Sequence, residues 1–188
     1  MRDRIKEILL ESIQVKEELL HNHVIQILEI AELAIECLKK NGKVLVFGNG
    51  GSASDSQHIA AELIGRFKKD RGALPAIALT TNTSVLTSLA NDYGYDVVFA
   101  RQIEALGSKN DIAIGISTSG KAKNVAAAIK QAKKMGIKTV ALTGGDGGEL
   151  AKLADLSLVV PSSVTARIQE AHITIGHIIC ELIEQAVC

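Results

Sequence analysis

The chain has 188 residues, 47% hydrophobic and 22% charged, and its 21 Lys and Arg balance its 21 Asp and Glu. This is the size of one domain with a substantial core, which excludes intrinsic disorder, and the balanced charge argues against nucleic acid or an anionic membrane as partner. No apolar run reaches the roughly 18 residues of a spanning helix, and the charged N-terminus "MRDRIKEILLESIQVKEELL" lacks a signal-peptide pattern.

The first forty residues read as helix, with one apolar stripe at Ile5, Leu9, Ile13 and Leu20 and another at Val24, Ile27, Leu28, Ala31, Ile35 and Leu38. The polar "HNH" at 21–23 marks a break, with Asn22 as N-cap of the second stretch. "KKNG" ends the arm, Gly42 being the expected stop. Docking on the domain, or on another copy of the chain, would bury both stripes. Cys37 in this arm, like Cys180 and Cys188 at the other end, has no paired spacing. A reducing cytoplasm is therefore expected, rather than a disulfide framework or a Cys-rich zinc site.

From Lys43 the pattern changes. "KVLVFG", "PAIALT", "DIAIGIS", "KTVALT" and "LSLVV" are nearly continuous apolar runs, as strands buried on both faces must be. Helical segments separate them: Ser52 to Phe67, "TSVLTSLAND", "VVFARQIEALG", "KNVAAAIKQAKKMG" and "GGELAKLA", with a closing helix over about Ser163 to Val187. Strand and helix alternating five times predict an α/β fold, a doubly wound, five-stranded parallel sheet. Residues 1–42 read as a helical arm and 43–188 as the α/β domain, together one structural unit.

In such a sheet, ligands bind beyond the carboxyl ends of the strands. Three strands end in small polar residues: "GNGGS" (48–52), "STSG" (117–120) and "TGGDGG" (143–148). Glycine lets backbone approach a ligand closely, and a following helix N-terminus offers free N–H groups to an anion. Serine and threonine hydroxyls add donors, so the three ends suit a phosphate on a hydroxylated body. Gly48, Gly50 and Ala53 also fit the spacing of a dinucleotide loop, but "IALTTN" supplies no acid for ribose hydroxyls. No Gly-Lys-Ser/Thr follows the glycines, which excludes a Walker A loop.

The helix after "GNGGS" carries His58 and Glu62 one turn apart. Side chains so spaced can share a metal, bond to each other, or simply form a solvated polar face. On the last helix, Gln169 and His177 interrupt an apolar surface, while His172 reads as a core histidine. Eight residues put Gln169 and His177 about 12 Å apart along a helix axis, long for ligands of one ion. One ion can take both only if the two side chains reach inward or if neighbouring subunits share the site, a hint of an oligomeric active site.

The stretches "GNGGSASDSQHIAAELIGR", "LANDYG", "GISTSG", "ALTGGDGGELAKLAD" and "ARIQEAHITIGHIICELIE" resemble the phosphoheptose isomerases of the sugar isomerase (SIS) superfamily, over essentially the whole chain. The resemblance implies interconversion of D-sedoheptulose 7-phosphate and D-glycero-D-manno-heptose 7-phosphate, the first step towards the ADP-heptose of bacterial surface polysaccharide. It also implies a homotetramer with active sites between subunits and one zinc ion per subunit. Carried onto matching positions, the zinc ligands are His58, Glu62, Gln169 and His177. Sugar contacts fall to Asn49, Gly50, Gly51, Ser52, Glu62, Asn91, Asp92 and Gln169, and phosphate contacts to Ser117, Thr118 and Ser119. Two departures stand out. The phosphate loop runs "GKAKN" where relatives commonly have Gly-Asn-Ser, so Ala122 lacks a hydroxyl that Lys121 or Lys123 could replace with charge. Ala166 stands where some relatives carry an acid.

Aldose–ketose isomerisation moves one proton between adjacent carbons and another between their oxygens. Glu62 is expected as the carbon base and His177 as the acid serving the oxygens, with zinc polarising the carbonyl. The two roles compete, because a metal-bound carboxylate is a weaker base. The alternatives are a non-catalytic SIS protein that binds the replication initiator, whose known example lacks the glutamate and the late histidine, and an isomerase of another phosphosugar. A sugar-phosphate sensor with a DNA-binding module is a further rival for which no segment is left over.

Overall fold

Five apolar runs become five strands because each is covered on both faces. In a computed structural model describing residues 1–188, the elements are α1 (Arg2–Asn22), α2 (Val24–Lys39), β1 (Val44–Gly48), α3 (Gly51–Ile64), β2 (Ala76–Ala78), α4 (Thr83–Tyr93), α5 (Val98–Leu106), β3 (Ile112–Ser117), α6 (Lys123–Lys134), β4 (Lys138–Gly144), α7 (Leu150–Leu153), β5 (Leu156–Val160) and α8 (Thr165–Val187). All strand pairs are parallel, in the order β2-β1-β3-β4-β5. The α/β, doubly wound, five-stranded parallel sheet expected from the alternation is the observed fold.

Alternate residues of each strand feed two cores. Val44, Val46, Ile112, Ile114, Val140 and Leu142 pack with α1, α2, α3 and α8, while Leu45, Phe47, Ala113 and Ala141 pack with α5, α6 and α7. The chain leaves β1 for β2 on one side and returns to β3 on the other, so winding reverses between β1 and β3. That reversal opens a crevice at their carboxyl ends. Register places Gly48 beside Ile116, and Ser117 beside Thr143. The three polar strand ends are therefore neighbours.

The arm departs from its expected details. The break falls at His23, whose non-helical φ of −126° and ψ of 3° end α1 and start α2; Asn22 is helical and donates to Glu18 at 2.8 Å, so it caps nothing. Asn41, not Gly42, takes the left-handed conformation at the end of α2 (φ 57°), and the Gly42 N–H bonds the Cys37 carbonyl at 3.0 Å in a Schellman closure. Gly42 is needed for another reason: a Cβ there would strike the Asn110 carbonyl. Of the two stripes, Ile27, Ala31 and Leu38 are buried, but Ile5, Leu9, Ile13 and Leu20 are each more than half exposed, and α1 buries Val15 and Leu19 instead. Cys37 and Cys180 are buried and Cys188 exposed, all three free; burial pushes the first two thiols up to about 12. No helix is long and apolar enough to cross a membrane.

Candidate active site

The β1–α3 turn is built on glycines that either have no room for a side chain or take a left-handed φ. A Cβ on Gly48 would meet the Ile116 carbonyl at 2.8 Å, Gly50 adopts φ 55°, and a Cβ on Gly51 would strike the Gln169 amide. Gln169 of α8 thus lies directly on the turn. Ser52 is buried beneath it and accepts the Ser56 hydroxyl on its carbonyl at 2.7 Å. Asn49 is fixed by a residue the sequence did not single out: its amide and that of Asn124, at the start of α6, exchange two bonds of 2.9 Å each. Asn124 is buried, and its only sequence signal was a polar residue in the first turn of an amphipathic helix.

Helices α3 and α8 run side by side in the same direction. Gln169 lies against Gly51, Gly176 against Ile59 and His177 against His58. The absence of a side chain at Gly176 permits the approach, since a Cβ would meet Ile59 at 2.8 Å. His177 Nε2 is 3.2 Å from His58 Nε2, which is 3.0 Å from Glu62 Oε1, and the three ligand atoms all lie within 4.8 Å of one another. The structure therefore brings His58, Glu62 and His177 together within one chain and sets Gln169 at the glycine turn, the length of α3 accounting for the interval between them. Phe67 closes one side of His177, ring centroids 5.6 Å apart.

This donor set suits a divalent cation. Two imidazole nitrogens and a carboxylate oxygen are zinc ligands, and bonds of about 2.0–2.1 Å in tetrahedral geometry give ligand–ligand edges near 3.3 Å, close to the 3.2 and 3.0 Å of the two edges that meet at His58. Three protein ligands leave a fourth position open, the pattern of catalytic sites. Asp55, one turn before His58, was missed by the sequence reading. Its Oδ2 is buried without a partner, and burial, partly offset by His58, pushes its carboxyl up to about 6. The signal was present in "SASDSQH": an acid on the helix face carrying Gly51 and His58. His172 is buried as expected; its Nε2–H donates to the Thr143 carbonyl at 3.0 Å, Nδ1 has no partner, and burial lowers it to about 4, keeping the ring neutral.

The loop between β3 and α6 borders a cavity of about 270 Å³ lined by Thr118 and Ser119 after β3, Gly144, Gly145 and Asp146 at the end of β4, and Ser163 and Thr165 around the start of α8. Ser117 is buried below it. The loops from β3 and β4 cross at glycines: Gly120 has φ 64°, and a Cβ on it would strike the Gly147 carbonyl. Ala122 is the N-cap of α6, in extended conformation and with no side-chain cap bond. Restoring a hydroxyl should supply one, so Ala122→Ser is expected to stabilise the fold by about 1 kcal/mol, or roughly 2–4 °C in Tm; an unchanged melting curve would mean the hydroxyl does not reach the helix N–H groups.

Asn91 and Asp92 lie exposed at the end of α4, a helix with no buried residue, and their side chains bond each other at 2.8 Å. Three further residues hold the site from behind. Arg71 caps the end of α3, donating to the carbonyls of Glu62 (2.9 Å) and Leu63 (2.7 Å) and pairing with buried Glu184 at 3.2 Å. Glu184 also accepts the backbone N–H groups of Phe67, Lys68 and Lys69. Burial opposes its charge, but these donors prevail and hold its carboxyl below the ordinary value. At the other end of α8, Arg167 donates to the Ile8 carbonyl at 3.1 Å and to Glu170 at 2.9 Å, clasping α1 beside Gln169.

Comparison with known proteins agrees with this architecture. A family model described as the SIS domain matches residues 9–144. A phosphoheptose isomerase of Aquifex aeolicus is 53% identical over 188 residues, covering 100% of this chain and 98% of that one. The solved phosphoheptose isomerase of Neisseria gonorrhoeae superposes with a TM-score of 0.93 at 45% identity, over 98% of each chain. That of Francisella tularensis gives 0.94 at 40% identity, over 97% of each.

Proposed function

The chain belongs to the phosphoheptose isomerase family of SIS-domain proteins and is a sugar phosphate isomerase, and from that premise we propose that it interconverts D-sedoheptulose 7-phosphate and D-glycero-D-manno-heptose 7-phosphate. The observation that carries this reading is the meeting of His177 with His58 and Glu62 in a chain whose strand ends also carry a glycine turn and a hydroxylated cavity. A protein that only bound sugar phosphates would need no such cluster. The reaction supplies the first intermediate towards ADP-heptose, in the cytoplasm.

In this reading Ser117, Thr118 and Ser119 hold the phosphate. Asn49, Gly50, Gly51, Ser52, Asn91, Asp92 and Gln169 hold the sugar hydroxyls. Glu62 removes the proton from C1 of the ketose, and the electron pair moves to the C2 oxygen as a cis-enediolate forms. His177 delivers a proton to that oxygen and accepts the one leaving the C1 hydroxyl, after which Glu62 returns its proton to C2. Each proton lost is regained, so isomerisation needs no outside oxidant. A zinc ion held by His58, Glu62 and His177, its fourth position open and Gln169 left at the glycine turn, would supply Lewis acidity to the carbonyl oxygen.

The exposed Ile5, Leu9, Ile13 and Leu20 support residues 1–42 as an oligomerisation arm, and a homotetramer with active sites between subunits is the assembly that the family resemblance implies. The test is incubation of purified protein with sedoheptulose 7-phosphate followed by NMR. Appearance of the aldose signal, together with about one zinc per subunit and lost turnover after chelation, is expected. Silence with this ketose and turnover of a shorter sugar phosphate would move the assignment to another isomerase of the superfamily.

A further inference from the structure

The cavity beyond β3 and β4 holds one cation and one anion among its lining groups, and they bind each other. Lys121 Nζ is 3.2 Å from Asp146 Oδ2, with both side chains about two-thirds exposed (65% and 69%). Lys123, the other lysine of "GKAKN", does not line the cavity. Apart from Ile168, the remaining walls are hydroxyls and glycine backbone, able to donate to an anion but not to neutralise it. Resting on the reading that Thr118 and Ser119 face the substrate phosphate, we propose that Lys121 is the cationic contact of that phosphate and Asp146 its resident counter-ion, exchanged as the phosphate enters.

Three observations carry the exchange. An exposed lysine–carboxylate pair holds weakly in water, whereas a sugar phosphate brings up to two charges and three acceptor oxygens. Asp146 is otherwise occupied: its Oδ1 accepts the Gly148 N–H at 3.1 Å, so the carboxylate stays on its own turn when the lysine leaves. Lys121 and that N–H hold the Asp146 carboxyl below its usual range, so the anion is present at neutral pH to compete. Ala122 removes a neutral donor from this loop, and the neighbouring ammonium replaces it with charge. Substrate capture should then depend on ionic strength, and Asp146 should restrain affinity rather than add to it.

The experiment titrates inorganic phosphate calorimetrically into the wild type, Lys121→Gln, Lys121→Arg and Asp146→Asn, alongside steady-state kinetics on sedoheptulose 7-phosphate. Lys121→Gln should weaken phosphate binding roughly tenfold and raise KM similarly while kcat stays within about twofold. Lys121→Arg should recover most of the loss. Asp146→Asn keeps an oxygen for the Gly148 N–H and should tighten phosphate severalfold. Equal phosphate affinity in the wild type and Lys121→Gln, or weaker binding in Asp146→Asn, overturns the exchange. A wild type that fails to turn over this ketose, yet whose phosphate affinity follows the expected order, would refute the substrate assignment and leave the ion-pair exchange standing.

Discussion

Replacing Glu62 by glutamine is expected to lower kcat by about 10²–10⁴-fold while sugar-phosphate binding stays measurable. Glutamine keeps the length of the side chain and an oxygen to face His58, now 3.0 Å from Glu62 Oε1. What it loses is the ability to take a proton from carbon. Deuterium uptake from D2O into the sugar reads that step directly and should vanish with turnover. Glu62 also belongs to the candidate metal group, so zinc content must be measured on the same preparation. Activity within tenfold of wild type in a zinc-replete Glu62→Gln protein would remove Glu62 from the base role.

The second large effect lies behind the site. Arg71→Met should cost about 3–5 kcal/mol, the range seen when one partner of a buried ion pair is removed. The Arg71 side chain is 4% exposed and its guanidinium reaches the end of α3 and the α8 acid at once. Methionine fills similar volume but leaves helix-end carbonyls and a buried carboxylate short of donors. Against a typical total of about 5–15 kcal/mol, that is a large share of the margin. Urea unfolding measures it, and a loss under about 1 kcal/mol would show that water or Lys68 takes over the contacts. Because the Glu62 carbonyl is one of those contacts, activity should fall in the surviving folded fraction too.

Much of this architecture was legible in the sequence because each feature is local. Strands such as "DIAIGIS" announce burial on both faces, and His58 and Glu62 share a helix face by spacing alone. What the sequence could not show depends on contacts between distant segments. His177 reaches His58 across 119 positions, and Glu184 meets Arg71 across 113, through the packing of α8 on α3. The same holds for Gly51 and Gly176, glycines required by a neighbouring helix rather than by a turn. At the end of α2, asparagine tolerated the left-handed position that glycine was expected to fill, since an adjacent carbonyl had already claimed the glycine. The α1 stripe was read correctly as apolar, but periodicity does not say which surface covers it. Exposure of Ile5 and Leu9 in a single chain points outward.

The reciprocal amide bonds between Asn49 and Asn124 join the loop expected to hold the sugar to the helix that follows the phosphate loop. Two donors and two acceptors satisfied at once leave little play between those loops. Under the proposed placement of sugar and phosphate, the pair would act as a spacer bar, fixing the interval between the two loops before any sugar arrives. A sugar of the wrong length would then find no accommodation by spreading of the cleft.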